Sequence, residues 1–302
     1  GFILASFNYQ GNATVIRPSQ VFPLEEEVSS EDLPWHLRKK QDEGLDKDQF
    51  KKIVRYGVEQ IKAGSFDKVV AANKKMIDLP DNFELVAYFR KLAEAYPNAF
   101  VSLTSTPQYG TWIGASPELL LAFTPQHIYT EALAGTIPVD SEEEFSEKEQ
   151  QEQSVVSNFI ETCFEDLAID YDKKGPQQVN AGNLSHLKTW YETKLNGKDE
   201  KTWQKVLDSL HPTPAVCGYP LKVTKIFVRN EEPFERDLYS GFLGPVDEAD
   251  KGNLYVNLRC MEIHEKTAGM FAGAGVVKGS KSEDEWAETE EKMKTLQEVI
   301  PE

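Results

Sequence analysis

Residues 118–135, ELLLAFTPQHIYTEALAG, hold two β-rich runs set back to back. ELLLAF and HIYTEALAG are built from Leu, Ile, Tyr and Phe, are bounded by Pro and Gly, and are parted only by Thr-Pro-Gln, so each reads as a strand. No helical pattern lies between them. Working outward, FDKVVAAN (66–73), AFVSLTS (99–105), KIFVRN (225–230), NLYVNLRCMEI (253–263) and TAGMFAGAGVV (267–277) also read as strands. Helices are expected elsewhere. In 45–64, Phe50, Ile53, Val54, Gly57 and Ile61 fall at helical spacing, Asp46 caps with Gln49, and Gly64 ends the run. In 146–167, Ser146 and Glu149 form a capping box ahead of the stripe Val155, Val156, Phe159, Cys163 and Leu167. A third helix is read at 201–210 and a last one over 283–299, with Trp286, Met293, Leu296 and Val299 on its apolar side. The polar stretch 25–44 reads as a surface loop or short helix. Strands and helices mix without regular βαβ alternation, and no Gly-rich phosphate fingerprint follows a strand, which excludes a doubly wound nucleotide-binding sheet. The reading is one large α+β domain with mainly antiparallel sheets.

The chain has 302 residues, 40% hydrophobic and 27% charged, with a net charge of -17. A globular protein is expected. Such an acidic surface repels phosphate backbones and argues against nucleic acid, but a locally positive or metal-bearing pocket can still take a small anion. Cys163, Cys217 and Cys260 are far apart, odd in number and lack metal-ligand spacing, so buried free thiols in a reducing compartment are expected. The apolar runs fall far short of the roughly 20 residues of a membrane span. No positively charged leader precedes an apolar run. A cytoplasmic protein without a membrane partner is the expectation.

Several residues could carry chemistry, and each has an ordinary reading beside it. Lys68 lies on the strand face opposite Val69. It is either an exposed lysine on a half-buried strand or a pocket lysine whose burial lowers its pKa and makes it a usable base. Glu118 follows Gly-Ala-Ser-Pro and enters a three-leucine run. It either faces water or sits in a dry pocket where its raised pKa makes it a proton donor. Glu149 and Glu152, and again Glu285 and Glu288, are i,i+3 pairs at the starts of two helices. They suit either the helix dipole or a divalent cation such as Mg²⁺, which takes one or two carboxylates and fills its shell with water and substrate oxygens. Arg259 has apolar neighbours in its run and could hold a carboxylate or a structural partner. Gly273 and Gly275 would let a ligand approach the backbone, or would mark a bulge. Finally, LHPTPAVCGYP (210–220) packs three prolines, His211 and Gly218 into eleven residues. Proline restricts such a loop in advance and lowers the entropic cost of an ordered pocket wall.

The order of KVVAAN, GASPELL, LAGT, KEQQEQ, HPTPAVCGYP, YSGFLGPV, LRCMEI and GAGVVKGS with EWAETEEK resembles the chorismate-utilising enzymes, over roughly residues 60 to 300. That family includes isochorismate, anthranilate, aminodeoxychorismate and salicylate synthases. The His211–Pro220 loop is similar to the isochorismate synthase form, and the Arg-Asn-Asp-Leu segment of the amino-transferring members is absent; Glu161–Leu167 stands there. The resemblance implies a single αββα sandwich domain over 1–302, its N-terminal region (1–45) shortened and packed on it. It implies an isomerase that moves a hydroxyl from C4 to C2 of chorismate. Lys68 matches the base that activates water and Glu118 the acid that protonates the departing hydroxyl, with His211 positioned by its loop. Glu152 and Glu288, assisted by Glu149 and Glu285, match the Mg²⁺ carboxylates. Arg259, Lys292, Gly273 and Gly275 match groups around the enolpyruvyl carboxylate, Gly135 and Thr136 a turn near the ring carboxylate, and Ala215 the pocket wall. Asn73 departs from an arginine common in the family. Salicylate synthase, or a chorismate-binding homologue without turnover, are the alternatives. The resemblance leaves open whether a quinone or a siderophore pathway uses the product. A monomer or weak dimer is expected.

Overall fold

The computed structural model describes residues 1–21, 34–39, 42–139, 144–181, 184–195, 201–247 and 251–301. Its first elements are β1 (Phe2–Ala5), β2 (Thr14–Ile16), α1 (Lys47–Lys62), β3 (Lys68–Asp78), α2 (Leu85–Ala95), β4 (Phe100–Thr106) and β5 (Gly110–Ser116). Then follow β6 (Leu119–Phe123), β7 (His127–Pro138), α3 (Glu147–Asp166), β8 (Asp172–Ala181), β9 (Leu184–Lys194) and α4 (Thr202–Leu210). The last are β10 (Gly218–Tyr219), α5 (Leu221–Glu231), β11 (Phe242–Pro245), β12 (Gly252–Val256), β13 (Cys260–Ile263), β14 (Thr267–Val276) and α6 (Ser282–Gln297). The two capping boxes form as read. Asp46 and Gln49 exchange hydrogen bonds at the start of α1, and Ser146 and Glu149 do so at the start of α3. Such a cap contributes about 1 kcal/mol.

The strands form two sheets with antiparallel pairing throughout. One runs β2-β1-β11-β12-β6-β7-β9-β8 and the other β10-β3-β14-β13-β5-β4. Helices α3 and α4 cover the larger sheet, while α1, α2 and α6 cover the smaller. The α+β reading therefore holds. Apolar packing follows these layers. Val156, Phe159, Ile160, Phe164, Val206 and Leu210 lock α3 and α4 onto the larger sheet. Tyr88, Leu92, Met293 and Leu296 lock α2 and α6 onto the smaller. A third cluster joins Leu4 and Leu243 to Trp112, Phe271 and Tyr239. The three cysteines are free and buried. Among the described residues no helix is long and apolar enough to cross a membrane.

Two strand readings are corrected. KIFVRN belongs to α5, not to a strand. Its apolar triplet Ile226-Phe227-Val228 has strand composition, but the helix starts earlier, at Leu221, and buries Thr224, Phe227 and Val228 at i, i+3 and i+4. NLYVNLRCMEI is two strands in different sheets, broken at residues 257–259, where Arg259 takes φ 45°. Of the stretch 25–44, residues 25–33, 40 and 41 lie outside the described residues; 34–39 and 42–44 form no helix.

The proline-rich loop extends the edge of the smaller sheet. Gly218 and Tyr219 pair with Val69 and Lys68, Asp67 N donates to Tyr219 O (2.8 Å), and Val70 N donates to Cys217 O (3.0 Å). Beyond that point side chains replace a strand partner. Glu232 Oε1 accepts from Ala72 N (2.9 Å), while Arg236 donates to Val70 O (2.8 Å) and Val216 O (2.7 Å). Arg236 and Glu232 also form a two-point pair at 2.7 and 2.5 Å, both side chains only 2% exposed. This pair clamps the loop to the strand that carries Lys68. Glu232→Ala would leave a buried guanidinium without its counter-charge, and we expect a loss of about 3–5 kcal/mol in urea unfolding. An unchanged midpoint would show that the clamp contributes nothing.

Candidate active site

Two chain crossings build the floor of a cavity between the sheets. The chain leaves β5 in the smaller sheet and enters β6 in the larger through Pro117 and Glu118. It returns from β12 to β13 through Asn257, Leu258 and Arg259. The crossings lie side by side: Val256 N donates to Glu118 O (3.0 Å), Ala115 N to Arg259 O (3.0 Å), and Ser116 Oγ to Val256 O. Each delivers one ionisable side chain, Glu118 or Arg259, into the same cavity. The left-handed backbone at Arg259 costs a non-glycine residue about 1–2 kcal/mol, which the neighbouring pairing offsets. Arg259 is therefore not within a strand, as its sequence context suggested; it sits at the turn between two.

The cavity has a volume of about 70 Å³, so its side chains converge closely. Lys68, Gly273 and Gly275 come from the smaller sheet, and Gly135 and Thr136 from the larger. Ala215 comes from the proline-rich loop, Glu152 from α3, and Glu288 and Lys292 from α6. Lys68 is 1% exposed, which excludes the ordinary surface-lysine reading, and its ammonium lies 3.5 Å from Glu152 Oε2. Two glycines make the close helix–sheet approach possible. A Cβ at Gly275 would lie 2.3 Å from Glu152 Oε2. Gly135 sits at a β7–β9 register shift with φ 71°, where a Cβ would meet Glu149 O at 2.9 Å.

Glu118 is 3% exposed. Burial, reinforced by the negative Glu131 nearby, pushes its carboxyl up to about 8 against the pull of Lys68, Lys188 and Lys292. It is therefore a neutral acid at pH 7. Arg259 is half-buried, and desolvation lowers its guanidinium to about 10. Lys292 donates to Gly273 O (2.8 Å) and pairs with Glu288 (2.6 Å).

The acidic residues divide differently from their sequence spacing. Glu149 is a correction: its Oε2 accepts from Ser146 N (2.9 Å) and Ser146 Oγ, so the carboxylate caps its own helix and does not reach the cavity. Glu285 is also outside the lining, but it lies fully buried behind it. Its carboxylate, Glu152 and Glu288 surround one ammonium, Lys148 Nζ, at 2.7, 3.8 and 4.0 Å. Burial and Glu288 raise Glu285 to about 7, and burial likewise raises Glu152. Glu288 feels the same burial, yet Lys292 and Lys148 hold it below the ordinary carboxylate range. Among the described residues no three His, Cys, Asp or Glu side chains converge as a ready metal cage. Even so, the donor set suits Mg²⁺: all oxygens, with the Glu152 and Glu288 carboxylates open to the cavity and Glu285 behind them.

His211 is the second correction. Its ring is buried outside the cavity, edge-on to Tyr9 and Phe242, and burial drops it to about 3. It is neutral at pH 7 and does not line the cavity. The cavity instead contains His186, which the sequence reading did not select. Its Nδ1 lies 3.2 Å from Gly135 O and from Thr136 Oγ1, while burial, Arg259 and Lys292 hold it down to about 3. Donation from Nδ1 to Gly135 O leaves Nε2, buried and without a partner, as an acceptor. The usable signal was a histidine among small polar residues, Ser185 and Thr189, in a run that turned out to be a strand. Asn73 faces α6 and donates to Thr289 Oγ1 (3.0 Å).

The fold is shared with solved structures. MenF, the menaquinone-specific isochorismate synthase from Escherichia coli, matches with TM-score 0.76 and 27% identity, over 91% of this chain and 66% of that one. DhbC from Bacillus anthracis matches with TM-score 0.80 and 26% identity, over 99% and 83%. The chain belongs to the chorismate binding enzyme family, which its residues 13–301 match. Among curated relatives, isochorismate synthase DhbC of Bacillus subtilis is 29% identical over 82% of this chain and 67% of its own length. EntC of Escherichia coli is 31% identical over 63% and 51%. The chain thus spans about half to two thirds of these relatives' lengths.

Proposed function

We propose that the protein is an isochorismate synthase that interconverts chorismate and isochorismate. The observation that carries this reading is the meeting of buried Lys68, neutral buried Glu118 and half-buried Arg259 in one cavity between the sheets. Lys68, in its unprotonated amine form, takes a proton from a water as the water oxygen bonds to C2. The ring double bonds shift, and the C4–O bond breaks as Glu118 gives its proton to the departing hydroxyl, which leaves as water. One water enters and one leaves, so the step is an isomerisation. Hydroxide is a poor leaving group, and a carboxyl still protonated at pH 7 supplies what its departure needs. Arg259 and Lys292, with the backbone at Gly273 and Gly275, suit the enolpyruvyl carboxylate. Gly135, Thr136 and Ala215 shape the wall around the ring. Glu152 and Glu288, with Glu285 behind them, would hold Mg²⁺, whose charge supplies binding for the ring carboxylate.

The test is a product assay with purified protein, chorismate and Mg²⁺. Isochorismate as the product, lost on adding EDTA, is expected. Salicylate with free pyruvate would indicate a salicylate synthase instead, and unconsumed chorismate would sink the proposal.

A further inference from the structure

A buried ion pair sits directly behind the acid. Glu131 on β7 and Lys188 on β9 meet at 2.5 Å, the carboxylate only 5% exposed. They are diagonal neighbours, since Glu131 lies opposite Trp190 and Lys188 opposite Leu133. Neither lines the cavity. The second Glu131 oxygen accepts from Leu119 N (3.0 Å), the residue that follows Glu118. This bond fills a gap in the sheet: β6 and β7 pair only at Ala122–Tyr129 and Phe123–Ile128. Toward Glu118 the strands part, and two side chains of β7 take over the ladder. Thr130 Oγ1 donates to Leu120 O (2.6 Å), and Glu131 accepts from Leu119 N. A carboxylate here does more than an amide could, because it also adds charge. Glu118 is surrounded by cations, namely Lys68, Lys292 and Lys188, with Arg259 also close. Each of them favours loss of its proton; burial opposes them, and so does Glu131, whose own carboxyl is raised by burial while Lys188 and Leu119 N favour its ionised form.

We propose that Glu131 is a positioning residue for Glu118, fixing the backbone beside the acid and opposing the surrounding cations so that the acid keeps its proton at working pH. The inference rests on the assignment of Glu118 as the acid. It makes Glu131 essential to the pH range of the reaction rather than to substrate contact, with Lys188 satisfying the buried carboxylate.

The test compares wild type, Glu131→Gln and the double variant Glu131→Gln/Lys188→Met. Glutamine can still accept from Leu119 N but carries no charge. The pH profile of kcat/KM for chorismate is measured together with the ¹³C NMR titration of the Glu118 carboxyl, assigned with Glu118→Gln. In Glu131→Gln the alkaline limb and the NMR midpoint should both fall by about one pH unit. In the double variant they should fall by less, because Lys188's opposing charge goes too. The double variant also buries no unpaired charge, so it remains informative if the single variant does not fold. An unmoved midpoint, with only a uniform loss of rate, overturns the proposal. If wild type does not convert chorismate, the assigned reaction fails, while the NMR titration still decides whether Glu131 governs Glu118.

Discussion

Glu118→Gln should abolish chorismate turnover and, in the same variant, raise stability at neutral pH. The carboxyl is pushed from 4.5 to about 8 by burial and by Glu131. Between those values the folded state holds a proton that the unfolded chain has released, so stability falls as pH rises through this window. Below 4.5 both states are protonated and the penalty vanishes; above 8 it is fully present. Glutamine keeps the shape and cannot ionise, which removes a penalty of order a few kcal/mol. The same substitution removes the only proton donor proposed for the C4 hydroxyl, and a loss of about 10²–10⁴-fold is expected. Lys68→Ala should lose a similar factor without the gain in stability, since it leaves Glu152 short of a partner 3.5 Å away. Activity with melting temperature across pH 5–9 checks both. An active Glu118→Gln variant, or one with no stability gain above pH 5, would remove Glu118 from the proposed role.

Local chemistry was legible where one short string determines it. The capping boxes at Asp46 and Ser146 set the starts of α1 and α3, and β3, β7, β14 and α6 follow from periodicity and composition. What failed depends on neighbours distant in sequence. Strand β8 carries Lys173, Lys174 and Pro176 and pairs only with β9, an edge position that needs no apolar pattern. Strand β9 buries Ser185, His186, Thr189 and Thr193, so its polar residues face inward and hide its period. Helix α5 reads as a strand when its apolar triplet is taken without the five helical residues before it. Glu131 escaped notice for the same reason as β9: only the parting of β6 from β7 gives its carboxylate a task. Glu149 reads both as a helix cap and as a cation ligand, and in the fold its carboxylate makes the cap.

A net charge of -17 and an anionic substrate are reconciled by placement. Lys68, Arg259 and Lys292 face one cavity, and Lys148 and Lys188 stand just behind it. With low-dielectric walls, such a group focuses attraction on a dianion while the outer surface stays acidic.

Lys148→Met should make the protein depend on divalent cations for its stability. The Lys148 ammonium is the charge that Glu152, Glu285 and Glu288 share, and the helices bearing them, α3 and α6, meet over it. Burial alone would lower this ammonium's pKa, but the three carboxylates hold it above the ordinary lysine value. Removing it leaves three carboxylates facing one another at the junction of two helices. We expect a melting temperature several degrees lower in EDTA, consistent with the large cost of an uncompensated buried charge. A cation bound by the same carboxylates then restores stability in proportion to the logarithm of its concentration over Kd, about 2.7 kcal/mol at a hundredfold excess. Wild type should gain less from Mg²⁺, because there the metal must compete with an ammonium already in place. Glu288→Gln should abolish the Mg²⁺-dependent shift in both backgrounds. Differential scanning calorimetry over a Mg²⁺ series measures this without substrate. Equal shifts in wild type and Lys148→Met would mean that the ammonium and the metal do not share these carboxylates, and any cation needed for turnover would then bind elsewhere.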